Sequence, residues 1–446
     1  MLQSVKNASL VGLLVLCSIS ASAQTARASG YALFEQSVKG LGNAFAGSAA
    51  TAEDASTIFY NPAGLTELSG FQVQNGAHFI IPVLRFTNSG SRFVTGSPIP
   101  GSEGGDAGAE ALVPNLYASW DLSESIKAGI GINVPFGLQT KYDNDWVGRY
   151  QGINSKLLTI NVNPSIAAKL SDQFSIGLGA NLRYAKAELS NAVDLGLIGS
   201  QQLAGTPFAA GFAPGSADGL AEIEGEDWSL GVNIGALYKP NDGTKIGLAF
   251  RSGMRHTLKG SANFTVPDNA AILTRSGSFT DTEAEAVLRT PATVALSGSQ
   301  KLTEKLTLLG DATWTNWSRF EELRIDFANP AQPAVVKAQN WKDTIRLSLG
   351  LNYAASDRLL LRAGFAFDPT PTRDEFRTVR IPDSDRTWYT IGATYKASDK
   401  FSLDVGYAYI NVDRTSINES SAAGGTIVGD YRGSINILSA QARWQF

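Results

Sequence analysis

Cysteine, histidine and charged residues are scarce in this sequence, and each scarcity excludes a class of protein. The chain of 446 residues has one cysteine and two histidines. One cysteine cannot form a disulfide framework, and no motif typical of a metal site, a nucleophilic enzyme or a phosphate-binding loop is present. Charged residues make up 17% and hydrophobic residues 43%, which excludes a disordered chain. We expect no cofactor, no metal ion and no catalytic residues.

A long apolar helix and a basic surface are missing as well. Apart from the run from Leu10 to Ile19, no apolar stretch approaches the roughly 18 residues that a membrane-spanning helix needs. Lysine and arginine number 37 against 41 aspartates and glutamates, which gives a net charge of -4. Since no basic stripe is visible, nucleic acid is not an expected partner.

The first residues are typical of a secretory signal. Lys6 is followed by the apolar run LVGLLVLCSI and then by small residues, the order found in cleaved signal peptides. We predict a signal peptide over residues 1–23, with Ala28 as the alternative end. Its removal takes away Cys17, so the mature chain has no thiol chemistry.

The dominant hydrophobic period in the rest of the chain is two. In IRLSLGLNY, the apolar residues Ile345 to Tyr353 alternate with Arg346, Ser348, Gly350 and Asn352. The same alternation recurs at Ile176 to Tyr184, Leu230 to Tyr238 and Leu403 to Tyr409. Each segment predicts a strand with one apolar face and one small or polar face.

The connections between these strands alternate in length. Short polar turns, such as Ser171 to Gln173, alternate with longer loops, such as those near 191–226 and 415–431. This alternation is typical of an up-and-down transmembrane barrel, which leaves no unpaired edge in lipid. We predict an all-β barrel of about fourteen antiparallel strands over residues 71–446. Its last strand ends at Phe446 with an apolar face, a pattern that favours recognition by barrel-assembly machinery through edge-strand pairing.

Residues 29–70 do not alternate. They are rich in glycine and alanine, with Gly40 and Gly42 in a small-residue stretch and Asn61 and Pro62 in a turn that ends the preceding element. We predict an N-terminal, partly helical hatch that plugs the lumen, because a barrel of this size is wide enough to need one.

Three further features could take part in transport. The third strand contains residues that interrupt pairing, where a harmless bulge and a lateral window in the wall are both open: Asn133, Pro135, Phe136 and Gly137. The longest loop contains Phe208 and Phe212, which either pack under the loop or form an apolar capture surface. Four cations are candidates for an anionic head group, although such charges are often paired: Arg255, Lys337, Arg346 and Arg362.

The combined pattern resembles the FadL family of outer-membrane transporters for long-chain fatty acids and other hydrophobic compounds. Seven stretches occur in the family's order: GLGNAFAG from Gly40, AEDASTIFYNPAG from Ala52, NVPFGL from Asn133, WVGRY from Trp146, NWSRF from Asn316, WKDTIRLSLG from Trp341 and IPDSDRTWY from Ile381. The resemblance covers nearly the whole mature chain.

The resemblance implies a fourteen-stranded barrel with an N-terminal hatch and a kinked third strand that opens laterally. It implies passive uptake by capture at an outer groove, transfer to an internal site, hatch rearrangement and diffusion through the wall into lipid. Lys337 falls where fatty acid transporters have a cation near the ligand head, whereas Asn191 falls where they have an arginine. Tyr31 matches an aromatic residue that reaches the internal site, which favours cleavage at Ala28.

We therefore expect a monomeric outer-membrane channel for hydrophobic molecules, with long-chain fatty acids as the first choice of ligand. Its lateral route would bring it into contact with outer-membrane lipid and lipopolysaccharide. Because Asn191 has no charge, uptake of monoaromatic or alkane hydrocarbons stays open. A general porin and an outer-membrane hydrolase built on a serine and His256 are the alternatives from other classes.

Overall fold

The β structure forms one closed antiparallel sheet. The computed structural model describes residues 30–446, so the predicted signal peptide, with its ends at 23 or 28, lies outside the described residues. Within residues 30–446, nineteen β segments are hydrogen-bonded side by side, and β19 returns to pair with β1 along the whole of β1. The sheet therefore has no free edge.

The segments vary widely in length. They are β1 (Gln72–Asn88), β2 (Ala111–Asp121), β3 (Ile126–Asn133), β4 (Gly137–Lys141), β5 (Asn154–Lys169), β6 (Phe174–Asp194), β7 (Asp218–Asn241), β8 (Thr244–Arg251), β9 (Met254–Thr265), β10 (Thr282–Thr290), β11 (Thr293–Lys301), β12 (Leu306–Thr315), β13 (Glu322–Phe327), β14 (Val335–Ala338), β15 (Thr344–Ala354), β16 (Leu359–Asp368), β17 (Arg386–Ser398), β18 (Phe401–Ser421) and β19 (Gly425–Gln445).

Five transmembrane strands are interrupted and therefore appear as two segments each. The pairs are β3 with β4, β8 with β9, β10 with β11, β12 with β13 and β14 with β15. Counted as continuous strands, the β segments of residues 30–446 amount to fourteen. The predicted fourteen-stranded antiparallel barrel is confirmed.

The two faces of the wall follow the period-two pattern. On β15, Ile345, Leu347 and Leu349 are more than half exposed on the outer face, whereas the intervening Arg346 is buried in the lumen. Lipid offers no hydrogen-bond partner to backbone N–H and C=O groups, so a wall that faces lipid must pair all of them internally. Closure of the sheet supplies that pairing. The outward apolar surface is thus the membrane-facing band of the barrel.

The connections form a short set and a long set, as the sequence predicts, with one exception. Short turns such as 170–173 and 242–243 join strands at one end, and loops such as 89–110, 195–217 and 369–385 lie at the other. The expected loop near 415–431 is wrong, because β18 and β19 continue through it and turn at 422–424. This hairpin has buried inward residues but polar outward ones, so its sequence lacks the apolar outer face of a membrane strand.

Residues 30–70, which we call the hatch segment, lie inside the barrel. They contain the short helices α1 (Val38–Gly42), α2 (Ser48–Thr51) and α3 (Thr57–Tyr60) and a 3-10 helix at Pro62–Glu67. The segment contacts wall strands on all sides of the lumen, including β3, β5, β8, β11, β17 and β18. The division of the chain into a hatch and a barrel after residue 70 stays a prediction. In the structure the first strand, β1, begins at Gln72.

The hatch segment is fixed to the wall by ion pairs and hydrogen bonds. Arg362 of β16 lies 2.6 Å from the Glu53 carboxylate. Asn61 is fully buried, and its side-chain amide donates to the carbonyls of Ala49 and Ala236, at 2.6 and 2.9 Å. These contacts hold the plug in register with particular strands.

The predicted hatch glycines lie at close approaches. A Cβ on Gly40 would lie 2.7 Å from the Phe45 ring, and one on Gly42 would lie 3.0 Å from the Gly392 backbone of β17. Pro62 is the first residue of the 3-10 helix, where its missing N–H costs nothing. These small residues let helix α1 pack directly against the wall.

The α-helices are all short. The longest among residues 30–446, α4 (Leu195–Gln202), lies in the loop between β6 and β7. No helix of the described residues is long and apolar enough to cross a membrane.

Candidate functional site

A large cavity lies between the hatch segment, the wall and the long loops. It has a volume of about 360 Å³ and is open at one side. Its lining is mostly aliphatic and includes Leu157, Leu189, Leu258, Leu288, Ile325 and Val336. We call it the main cavity. An apolar pocket of this size with a few polar groups is typical of a site for a small hydrophobic ligand.

Tyr31 forms part of the cavity floor. Its side chain is 1% exposed, and its ring lies 4.7 Å from that of Trp317 and 5.5 Å from that of Trp341. Burial raises the pKa of Tyr31 well above its usual value, so the hydroxyl stays protonated. It donates to the backbone oxygen of Arg289, on β10, at 3.0 Å. The role of Tyr31 in binding stays a prediction.

Lys337, the predicted head-group cation, lines the main cavity but is already paired. Its Nζ atom lies 2.9 Å from a carboxylate oxygen of Glu419. The other oxygen of Glu419 accepts a hydrogen bond from the Val379 N–H at 2.8 Å. Since a carboxylate neutralises it, Lys337 by itself is a weak site for an anionic ligand.

Arg380 is the cation that the sequence analysis missed. It belongs to the loop 369–385 and lines the main cavity, where its Nη2 donates to the Oδ1 atom of Asn191 at 3.0 Å. Its Nη1 donates to the backbone oxygens of Asn154 and Ser190. Among residues 30–446, no carboxylate oxygen lies within 4.0 Å of its guanidinium.

Arg380 therefore places a positive charge beside Asn191, the position where the resemblance to the fatty acid transporters implies an arginine. Burial lowers the pKa of Arg380 to about 10, which leaves the guanidinium protonated at neutral pH. The two residues are 189 positions apart, so no local motif could have connected them.

The wall is interrupted at the third strand, where β3 ends at Asn133 and β4 begins at Gly137. We call this interruption the wall break. Asn133 faces the lumen and accepts a hydrogen bond from Asn161 at 3.2 Å. Pro135 has no N–H to donate, and residues 134–136 make no strand hydrogen bonds with β5.

Side chains replace these missing ladder bonds. The Gln36 amide accepts from the Val134 N–H at 3.2 Å and donates to the Val134 carbonyl at 2.7 Å. The Thr159 hydroxyl accepts from the Phe136 N–H at 3.0 Å and donates to the Phe136 carbonyl at 2.7 Å. These side chains satisfy the backbone N–H and C=O groups of Val134 and Phe136.

The hatch segment also adds a short strand to the wall break. Leu33 donates its N–H to Pro135, and Gly137 donates to the Tyr31 carbonyl, each at 2.9 Å. Ala32 lies opposite Phe136 in antiparallel register. In this structure the break is closed from inside, and its role as a lateral opening stays a prediction.

A second, smaller cavity lies inside the lumen, next to the closed break. It has a volume of about 80 Å³ and is lined by Ala32, Pro135, Phe136 and the guanidinium-bearing residues Arg251 and Arg346. The rings of Tyr31 and Phe136, 5.8 Å apart, separate it from the main cavity.

The remaining predicted residues lie elsewhere. Phe208 is 61% exposed in the loop 195–217, and Phe212 packs within the apolar loop cluster around Leu195. Neither lines the main cavity, so a capture role for the two phenylalanines stays a prediction. Arg346 and Arg362 face the lumen, whereas Arg255 is exposed.

The chain matches the family model of the outer membrane protein transport proteins, OMPP1/FadL/TodX, over residues 19–446. It is 30% identical over 397 residues to the long-chain fatty acid transport protein of Salmonella typhi, which covers 87% of this chain and 89% of the relative.

Two solved structures have the same barrel. The crystal structure of a Pseudomonas aeruginosa FadL homologue covers 94% of this chain and all of its own, with a TM-score of 0.87 and 25% identity. The toluene transporter TodX of P. putida covers 88% of this chain and 94% of its own, with a TM-score of 0.66 and 16% identity. The chain belongs to the OMPP1/FadL/TodX family of outer-membrane transport proteins.

Proposed function

We propose that this protein takes up long-chain fatty acids, with the carboxylate head bound by Arg380 and the hydrocarbon tail in the main cavity. As a family member, the protein is an outer-membrane transporter of hydrophobic compounds and not an enzyme. The main support for the finer assignment is Arg380, a partly buried cation whose guanidinium has no carboxylate oxygen within 4.0 Å among residues 30–446. It lies at the wall of an otherwise aliphatic cavity.

The position of Lys337 supports the same assignment. An incoming carboxylate would meet Arg380 directly and would compete with Glu419 for Lys337, which lies in the same cavity wall. A guanidinium can bind a carboxylate through two parallel hydrogen bonds. Since Nη1 and Nη2 of Arg380 already donate to Asn154, Ser155, Ser190 and Asn191, the carboxylate would share these donors or displace their neutral acceptors.

A neutral aromatic hydrocarbon is the second candidate. Tyr31 and Phe320 line the main cavity, and both belong to an aromatic cluster that also contains Phe136, Trp317 and Trp341. Such rings bind flat apolar molecules without any charge. One of the structures with the same fold is a toluene transporter.

Labelled oleate and labelled toluene, given to a Gram-negative host that lacks its own transporter, separate the two candidates. We expect oleate uptake. The Arg380→Gln variant should bind oleate at least about tenfold more weakly, because a charged hydrogen-bonded pair contributes on the order of 1.5–3 kcal/mol. Arg373→Gln is the matched control, since Arg373 is an exposed cation of the same loop.

Toluene uptake without oleate uptake would assign the protein to hydrocarbon import instead. Unchanged oleate affinity in Arg380→Gln would show that Arg380 does not hold the head group.

We propose that the ligand leaves through the wall break after the hatch segment withdraws from it. The support is that residues 31–33 seal the break from inside. Ala32 and Phe136 form a non-hydrogen-bonded antiparallel pair, in which Cα atoms are about 4.5 Å apart. That spacing lies within the range that a disulfide can bridge.

Cysteines at both positions, Ala32→Cys with Phe136→Cys, should therefore lock the break. We expect oxidation to stop oleate uptake by the double variant and a reductant to restore it. The two single variants control for loss of the Phe136 ring. Full uptake with the disulfide formed would exclude this route. Release into outer-membrane lipid, contact with lipopolysaccharide, the assembly machinery and the monomeric state stay predictions.

A further inference from the structure

Arg183 is a buried cation at the wall break that the proposed head-group site does not use. It lies on β6, its side chain is 0% exposed, and its guanidinium lies 4.8 Å from the centre of the Phe136 ring. Its Nη1 donates to the Thr290 hydroxyl at 3.1 Å. Its Nε and Nη2 atoms have no hydrogen-bond partner among the described residues.

The surroundings of Arg183 contain a second positive charge, and the Asp227 carboxylate lies 3.9 Å from the Nδ1 atom of the neighbouring His256. Arg251 donates to the side-chain oxygens of Asn181 and Asn163 and to the backbone oxygen of Phe59. Within residues 30–446, neither guanidinium has a carboxylate oxygen within 4.0 Å. Nearby, His256 is fully buried, and neither ring nitrogen makes a hydrogen bond with a described residue.

Burial of two guanidinium groups without a counterion is unfavourable, and a bound anion would relieve it. A buried unpaired charge is strongly destabilising, and a cation–π contact such as that with Phe136 offsets only part of this cost. Two free N–H donors on a planar guanidinium match the two oxygens of a carboxylate. The local chemistry is therefore that of a site for a small anionic group.

The Phe136 ring, which covers Arg183, contacts the residues of the hatch segment that must withdraw to open the break. Phe136 lies opposite Ala32 in the register that seals the break, and its ring packs against Tyr31. Withdrawal of residues 31–33 removes both contacts, which frees the ring that covers Arg183. The guanidinium would then be exposed toward the open break at the moment when a ligand passes.

We propose that Arg183, with Arg251 beside it, is a second carboxylate site at the wall break, which receives the fatty acid head group after it leaves Arg380. The inference rests on the proposed function, because it requires a ligand with an anionic head. It assigns Arg183 to passage through the break and Arg380 to capture in the main cavity.

The test compares oleate with oleyl alcohol, which has the same chain and no charge. The variants are Arg183→Met, which keeps an unbranched side chain against Phe136, and Arg183→Lys, which keeps the charge. Binding of labelled oleate is measured on the purified proteins, and uptake of each labelled lipid is measured in cells. Heat-modified migration confirms that each barrel is folded.

We expect Arg183→Met to bind oleate within about twofold of the parent and to take up oleyl alcohol at the parent rate, but to take up oleate about tenfold more slowly. Arg183→Lys should restore most oleate uptake. Equal rates for oleate in Arg183→Met and the parent, or equal losses for both lipids, would overturn the inference. Failure of the parent to import oleate would overturn the proposed function instead.

Discussion

Glu35 has a buried carboxyl group inside the barrel, and neither oxygen has a hydrogen-bond partner among residues 30–446. Burial raises the pKa of Glu35 to about 7, although Arg346 and Arg386 act in the opposite direction. Asp368 adds a further small increase. The hatch segment therefore contains an acid that titrates near neutral pH.

The stability of the protein should fall as pH rises through this range. A folded-state pKa of about 7, above the ordinary value of 4.5, means that the folded state holds the proton more tightly than the unfolded state does. Below about pH 4.5, Glu35 is protonated in both states and does not change the free energy of unfolding. Between about pH 4.5 and 7 it lowers the free energy of unfolding progressively, and above about pH 7 this loss is constant. The Glu35→Gln variant should show a weaker fall of the free energy of unfolding with rising pH. Its urea midpoint should be higher than that of the parent at pH 8 but not at pH 4. An identical slope in both proteins would contradict it.

The cations show where residue-level prediction from sequence ends. Lys337 is in the main cavity as the resemblance implies, but its pairing with Glu419 is visible only in the structure. Arg380 could not be found from the sequence, since its position beside Asn191 depends on a loop that crosses to β6. An isolated arginine in a loop carries no local signal of function.

At the scale of elements, the fit between the hatch segment and the wall depends on small residues. On the inner face of β16, a Cβ on Gly364 would overlap the Asn43 carbonyl carbon and lie 2.5 Å from the Ala44 nitrogen. Gly247 on β8 faces the Ala49 carbonyl in the same way. The wall therefore comes closest to the plug where it has no side chain.

Gly364→Val should loosen the plug without unfolding the barrel. The added side chain cannot share space with the hatch backbone, and overpacking of this kind costs about 1–3 kcal/mol. We expect faster hydrogen exchange in residues 38–60 and a higher ion conductance in planar bilayers. Gly310→Val is the matched control, because a Cβ there meets open space. Unchanged exchange and conductance would show that the plug does not depend on this contact.

The interruptions of the strands were predictable only in part. Pro135 and Gly137 signal the wall break, because neither residue supports a ladder. The later interruptions also contain Gly253, between β8 and β9, and Pro291, between β10 and β11. Isolated residues of this kind occur in many loops, so the sequence could not show that these strands resume on the far side.

At the scale of the whole molecule, the hatch segment separates a transporter with small cavities from an open pore. Deletion of residues 30–70 should leave a barrel of fourteen strands with a water-filled lumen. We expect entry of small polar solutes and ion conductance to rise at least tenfold over the full protein. Heat-modified migration checks that the barrel still folds. Conductance equal to that of the full protein would mean that the wall and loops alone close the lumen.

The strands of the barrel wall can be predicted from the sequence alone, whereas the residues that meet at the candidate site are visible only in the tertiary structure. Strand alternation at Ile345 to Tyr353 and the lengths of the connections specify a closed barrel, because lipid on one side imposes period two and leaves no tolerated edge. The binding and exit chemistry depends on residues far apart in the chain, such as Arg380 beside Asn191 and Gln36 at Val134. Such pairs form only after the barrel closes around the hatch segment, and no local pattern records them.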